Sequence, residues 1–230
     1  MTTFALVHGG SHGPWCWEEI VPLLHDAGHT TVTPDLPIED TDAGALEWAK
    51  VVVDAVGDRE DVVVVGHSLA GLVVPVVASL RPVSRMVFLC AMVPVPGMVY
   101  AEYLQSLDQL AVTLTPDKMT TDSAGRAVVP YETAMEFFYH DCDPGQARAA
   151  ANRLRPQANK VFAERCPIEE WPDVPSSYIL CTEDRAVSPA WSRQVCRDRL
   201  GITPIELPGG HSPFLSRPAA CVDALLAAAG

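Results

Sequence analysis

Three side chains in this sequence could make a hydroxyl nucleophile with its own base. Ser68 stands in GHSLAG (residues 66–71), directly after four consecutive valines. A serine hydroxyl attacks a carbonyl carbon only when a base takes its proton, and the base works best when a carboxylate orients it. Downstream of Ser68 the sequence has two histidines, His140 and His211. His211 lies in ELPGGHSPFLSRP, a Gly-rich stretch just past the last apolar run, where a loop can carry an imidazole over a sheet edge. It is the better base. The carboxylate is expected in CTEDRAVSP, which offers Glu183 and Asp184. Asp184 is the first choice and Glu183 the alternative. The order serine, acid, histidine is the one expected behind a strand–turn–helix nucleophile elbow.

The oxyanion of such a reaction needs two backbone donors. One is the N–H of Leu69, next to the nucleophile. The other is expected from HGGSHGPW (residues 8–15), where Gly10 supplies the N–H and Gly9 leaves room for a substrate. The candidate pocket wall is Gly9, His12, Trp15 and Phe138. Phe137, Phe138 and Tyr139 are consecutive and cannot all share one helix face, so at least one belongs to ordinary packing.

A Gly-x-Ser-x-small pattern is common by itself and gains meaning only from its context. The context is a strand, DVVVVG (61–66), running into a helix over 69–81. Gly66, Ala70 and Gly71 are small enough to let strand and helix nearly touch. Further strands are expected at 3–8, 30–36, 85–91, 176–182 and 203–208, and further helices near 17–27, 43–57, 190–200 and 217–229. The strands are apolar on both faces, as in a parallel sheet covered by helices on each side. The alternation gives an α/β, doubly wound, mostly parallel six-stranded sheet in a single domain spanning 1–230. Residues 93–175 break the alternation. They read as a cap insertion with a hairpin near 120–129 and two helices, the second capped by Asp143 with Pro144 in its first turn.

The chain is 230 residues long with a net charge of −13, which argues against nucleic-acid and anionic-membrane partners. Seven cysteines at irregular spacing, without a Cys-x-x-Cys pair, fit reduced thiols in the cytoplasm. The start, MTTFALVHGG, lacks the basic and long apolar regions of a signal peptide. His8 and His12 are four apart but carry no HExxH-like surroundings, so hydrogen bonding suits them better than a metal. His67 reads as a packing residue. Trp15, Cys16 and Trp17 read as packing behind the oxyanion loop. GHSLAG lacks the Lys-Ser/Thr of a P-loop and the glycine spacing of a dinucleotide site.

Together, LVHGGSHGPWCW, GHSLAG, CTEDRAVSP and GGHSPFLSRP resemble the α/β-hydrolase superfamily, and within it the methylesterase and hydroxynitrile lyase branch. The resemblance spans the core strands and catalytic loops and is weak across the cap. It implies a Ser68–Asp184–His211 triad with no metal or organic cofactor. It also separates two chemistries. The esterases carry glycine where Gly9 stands, whereas the lyases carry threonine there and lysine directly after the catalytic histidine, where this chain has Ser212. Both positions favour hydrolysis of small to medium esters by a serine esterase. The rival readings are a lyase or cyclase of secondary metabolism using the same groups, and a ligand-binding protein on a hydrolase scaffold. The expected partner is a small-molecule ester; a homodimer is left open.

Overall fold

The computed structural model describes residues 1–106 and 114–230. Its central sheet has the strand order β2-β1-β3-β4-β7-β8, every neighbouring pair parallel. The strands are β1 Thr3–Val7, β2 Thr30–Val32, β3 Val62–His67, β4 Arg85–Leu89, β7 Ser176–Cys181 and β8 Ile205–Leu207. A separate two-stranded antiparallel pair, β5 Thr120–Thr121 and β6 Ala127–Val128, forms the expected hairpin. Strand β2 is shorter than the strand expected at 30–36. It lies at the sheet edge, and Pro34 carries no N–H to continue the ladder.

The helices are α1 Ile20–Asp26, α2 Ala45–Val56, α3 Val74–Leu80, α4 Tyr100–Gln105, α5 Tyr131–Phe137, α6 Pro144–Ala151, α7 Lys160–Ala163, α8 Pro189–Val195, α9 Pro213–Ser216 and α10 Pro218–Ala229. The helix expected over 69–81 is two pieces, a 3-10 turn at Ser68–Leu72 followed by α3. Pro75, near the start of α3, has no N–H for the Gly71 carbonyl, so the ladder must restart there. Likewise α8 passes into a π turn at Cys196–Leu200 and stops at Gly201, whose φ of 65° is left-handed.

Strand alternation divides the core. Ala5, Val7, Val62 and Val64 face a cluster containing Trp48 and Val52 of α2 and Val76 and Val77 of α3. Phe4, Leu6, Val63 and Val65 face the other side, with Ile20 and Leu24 of α1 and Cys221 and Leu225 of α10. Apart from Thr3 and His67 at their ends, both faces of β1 and β3 are therefore apolar, which is why these strands show no polar alternation. A third cluster belongs to the region between β4 and β7. It holds Ala134 and Phe137 of α5, Phe138, Tyr139, and Ala147 and Ala150 of α6, and it reaches Ala186 in the loop after β7. Residues 107–113 of the expected 93–175 insertion lie outside the described residues.

The connections from β1 and β3 lead to opposite sides, toward β2 and β4 respectively. The carboxyl ends of β1 and β3 therefore form the switch point where open α/β sheets place their ligands. Ser68 follows β3 there, and the loop of Gly9 and Gly10 follows β1.

Candidate active site

Ser68 is the first residue of the 3-10 turn and has φ +53°, a left-handed conformation rare for a side chain with a Cβ. The elbow is tight because its surroundings are close. A Cβ on Gly66 would lie 2.9 Å from the Ala70 carbonyl oxygen and would overlap the Val74 side chain. A Cβ on Gly71 would overlap the Met92 carbonyl oxygen. Only glycine lets β3, the turn and the end of β4 approach this closely.

The Ser68 hydroxyl lies 3.0 Å from His211 Nε2. His211 Nδ1 lies 2.9 and 3.0 Å from the two Asp184 carboxylate oxygens. The carboxylate therefore accepts the Nδ1–H hydrogen bond and leaves the Nε2 lone pair facing the serine hydroxyl. Asp184 Oδ1 also accepts the N–H groups of Ala186, at 2.7 Å, and Val187, at 3.0 Å. The side chains of Asp184 and His211 are almost fully buried. Glu183 is exposed, and its backbone instead ties the loop to its neighbours, donating to Gly209 O. Of the two carboxylates that could orient His211, Asp184 is the one in contact.

Two rings bracket His211. Phe138 stacks on it at 5.4 Å between centroids, and His67 lies at 4.7 Å. His67 donates from Nε2 to the His211 carbonyl at 2.9 Å, while its Nδ1 is buried without a hydrogen-bond partner. Burial first, and then the neighbouring His211, holds the His67 pKa well below the ordinary imidazole range. His67 is a neutral ring packed beside His211.

The loop after β1 is equally constrained. His8 Nδ1 donates to Gly9 O at 2.9 Å, and its Nε2 accepts the Leu36 N–H at 3.0 Å. His12 Nδ1 donates to Gly10 O at 2.9 Å, and its Nε2 accepts the Tyr139 hydroxyl at 2.9 Å. Both nitrogens of each ring are taken, and burial pushes the His12 pKa down to about 3. Trp15 stacks on His12 at 5.4 Å and carries the Arg153 guanidinium on its own ring at 4.7 Å. Among the described residues no group of three or more His, Cys, Asp or Glu side chains could hold a metal.

Gly9 differs from its expected use. The space beside it is filled by the elbow: a Cβ there would lie 2.7 Å from His67 Nδ1 and 2.9 Å from Ser68 Cβ. A Cβ on Gly10 would lie 3.0 Å from Leu69 Cδ2, so Gly10 and Leu69 are neighbours across the site. Leu69 is in the first turn of its 3-10 helix, where N–H groups have no intrahelical acceptor.

The sequence did not single out the contacts that the segment between β4 and β7 makes with the loops of Asp184 and His211. His140 Nε2 donates to Glu183 O at 3.1 Å. Asp141 Oδ2 accepts the Gly210 N–H at 2.9 Å and Arg217 Nη1 at 2.7 Å. Phe137, Phe138 and Tyr139 are all buried in one cluster, because α5 ends at Phe137 and the next two side chains leave the helical spiral. No local pattern signals hydrogen bonds between residues this far apart in the chain.

Comparison with known proteins places the chain in a family. The chain is 28% identical to salicylic acid-binding protein 2 of Nicotiana tabacum, over 97% of this chain and 95% of that protein. It is 26% identical to methylesterase 2 of Arabidopsis thaliana, over 98% and 95%. It is also 26% identical to norfluorocurarine synthase 2 of a Strychnos species, over 94% and 90%. Among solved structures it matches an extracellular α/β-hydrolase from a Paenibacillus species with a TM-score of 0.80 and 25% identity, covering 99% of both chains. The sequence model of the alpha/beta hydrolase family matches residues 4–224, and the chain belongs to that family.

Proposed function

We propose that this α/β-hydrolase cleaves small to medium carboxylic esters through an acyl-enzyme on Ser68. The observation that carries the reading is the unbroken hydrogen-bond chain from Asp184 through His211 to the Ser68 hydroxyl. Ser68 Oγ attacks the ester carbonyl while its proton passes to His211 Nε2. Asp184 holds the imidazole in the Nδ1–H tautomer and stabilises the imidazolium. The carbonyl oxygen becomes an oxyanion held by the N–H groups of Gly10 and Leu69. As the intermediate collapses, the C–O bond to the alcohol breaks and His211 returns its proton to that alcohol. Water, deprotonated by His211, then releases the acid and restores Ser68. His12, Trp15 and Phe138 form the pocket side of this reading, with Phe138 over the base. The seven unpaired cysteines favour a reducing compartment such as the cytoplasm.

Hydrolysis is favoured over cyanohydrin cleavage by two positions. A threonine at residue 9 would collide with the elbow as it is packed here. Ser212, after the base, is buried and uncharged, so it offers no Coulomb attraction to a departing cyanide. The native protein is expected to turn over p-nitrophenyl acetate and to release no cyanide from mandelonitrile above background. Gly9→Thr is expected to depress ester turnover by at least about 100-fold, the scale of losing one oxyanion donor. Cyanide release faster than ester turnover would replace hydrolysis by lyase chemistry.

A further inference from the structure

The loop that offers Gly10 does not hold itself. Ser11 has φ +61°, a strained conformation for a residue with a Cβ, and such strain persists only when neighbours fix it. Those neighbours come from the strand-like segment just after α6. Arg155 donates its backbone N–H to Ser11 O at 2.7 Å. Gln157 accepts the Ser11 N–H on Oε1 at 3.3 Å. The peptide between Gly10 and Ser11 is thus gripped at both edges, its N–H by Gln157 and its carbonyl by His12 Nδ1.

Gln157 is itself immobilised. It is 4% exposed, and its backbone exchanges two 2.8 Å hydrogen bonds with Ala127 of the hairpin. Its Nε2 donates to Ala158 O at 2.7 Å and to Ile38 O at 3.5 Å. The two Nε2 bonds fix which end of the amide is the acceptor. A Cβ built on Gly10 would sit 3.3 Å from Gln157 Oε1 and 3.0 Å from Leu69 Cδ2. The amide therefore backs directly onto the loop that faces the elbow.

We propose that Gln157 is the positioning residue of the oxyanion loop, holding the Gly10–Ser11 peptide so that the adjoining Gly10 N–H stays aimed at the substrate oxygen. The proposal rests on the ester-hydrolase reading. Gln157 touches no substrate in it; it acts through the loop. A donor held in advance stabilises charge that appears only in the transition state, so its loss should fall on the chemical step and spare ground-state binding.

The test uses the full chain with benzyl acetate as substrate. Gln157→Leu removes the acceptor of the Ser11 N–H and leaves the His12 contact in place; Gln157→Met, which keeps side-chain length without an oxygen, serves if the leucine variant fails to fold. In the folded variant, kcat/KM is expected to fall by about 10- to 100-fold, less than the loss of a whole donor. Inhibition by a trifluoromethyl ketone, which forms an oxyanion on Ser68, should weaken by a similar factor. Inhibition by benzyl alcohol, which forms none, should change by less than about threefold, within a fraction of the energy of one neutral hydrogen bond. A kcat/KM within about twofold of the native value, or equal weakening of ketone and alcohol, would overturn the positioning role. The controls separate the two claims: no benzyl acetate turnover by the native protein, or undiminished turnover by Ser68→Ala, would overturn the hydrolase reading and this proposal with it.

Discussion

Asp184 meets His211 with both carboxylate oxygens, at 2.9 and 3.0 Å from the same ring nitrogen, while one of those oxygens also takes two backbone N–H groups. The carboxylate is thus oriented before it orients the imidazole. Asp184→Asn would present an amide that can turn its NH2 toward Nδ1 and favour the wrong tautomer. The expected loss in kcat is on the order of 10⁴-fold. Glu183→Gln, on an exposed side chain of the same turn, should change kcat by less than about threefold, as surface substitutions remote from such features do. Steady-state kinetics on the two variants checks the assignment, and the reverse ranking would move the acid to Glu183.

Two buried neutral histidines make stability depend on pH. The pKa of His12 is lowered to about 3, chiefly by burial, and that of His67 is lowered in the same direction. An unfolded histidine protonates near pH ~6.5. Below that pH the unfolded chain binds protons that the fold excludes, so stability is full above pH ~6.5 and falls as the pH drops toward 3. Each histidine contributes up to about 1.4 kcal/mol per pH unit within the window. Urea unfolding between pH 4.5 and 7 should show His12→Gln with a slope shallower by about that amount. An unchanged slope would mean that His12 is protonated in the fold.

Asp141 joins the segment between β4 and β7 to the His211 loop through Gly210 N–H and Arg217. Its side chain is 9% exposed, so removing it leaves the Gly210 N–H without its acceptor in a poorly hydrated place and the half-buried Arg217 without its counter-charge. Asp141→Ala is expected to lower stability by about 1.5–3 kcal/mol, the range for a hydrogen bond to a charged group. Because Gly210 precedes His211, kcat should fall as well, by about tenfold, corresponding to about 1.4 kcal/mol of misalignment. Thermal unfolding and kinetics on the one variant check both. A variant with native stability would show that these bonds carry no weight.

Much of this was legible in the chain. The valines of β3 announce a strand buried on both faces because no polar residue interrupts them, and the small residues around Ser68 announce the close approach that follows. The order of Ser68, the CTED turn and His211 follows from the order of the parallel strands that carry them. The elbow helix was less legible, since Pro75 splits it and a hydrophobic run does not report a missing N–H. Gly9 was less legible for a related reason. A glycine may make room for a ligand or for the protein itself, and only the packing of His67 and Ser68 decides which. Tyr139, Asp141 and Gln157 were invisible as braces because their partners lie 69 to 146 residues away.

The central claim is covalent chemistry at Ser68, and labelling with a fluorophosphonate tests it most directly. The reagent reacts with a serine hydroxyl only where a base activates it and an oxyanion site receives the phosphoryl oxygen. Mass spectrometry of the native protein should show one adduct, on the peptide containing Ser68, and Ser68→Ala should show none. Labelling of Ser68→Ala at the native rate, or an adduct on another residue of the native protein, would contradict the account.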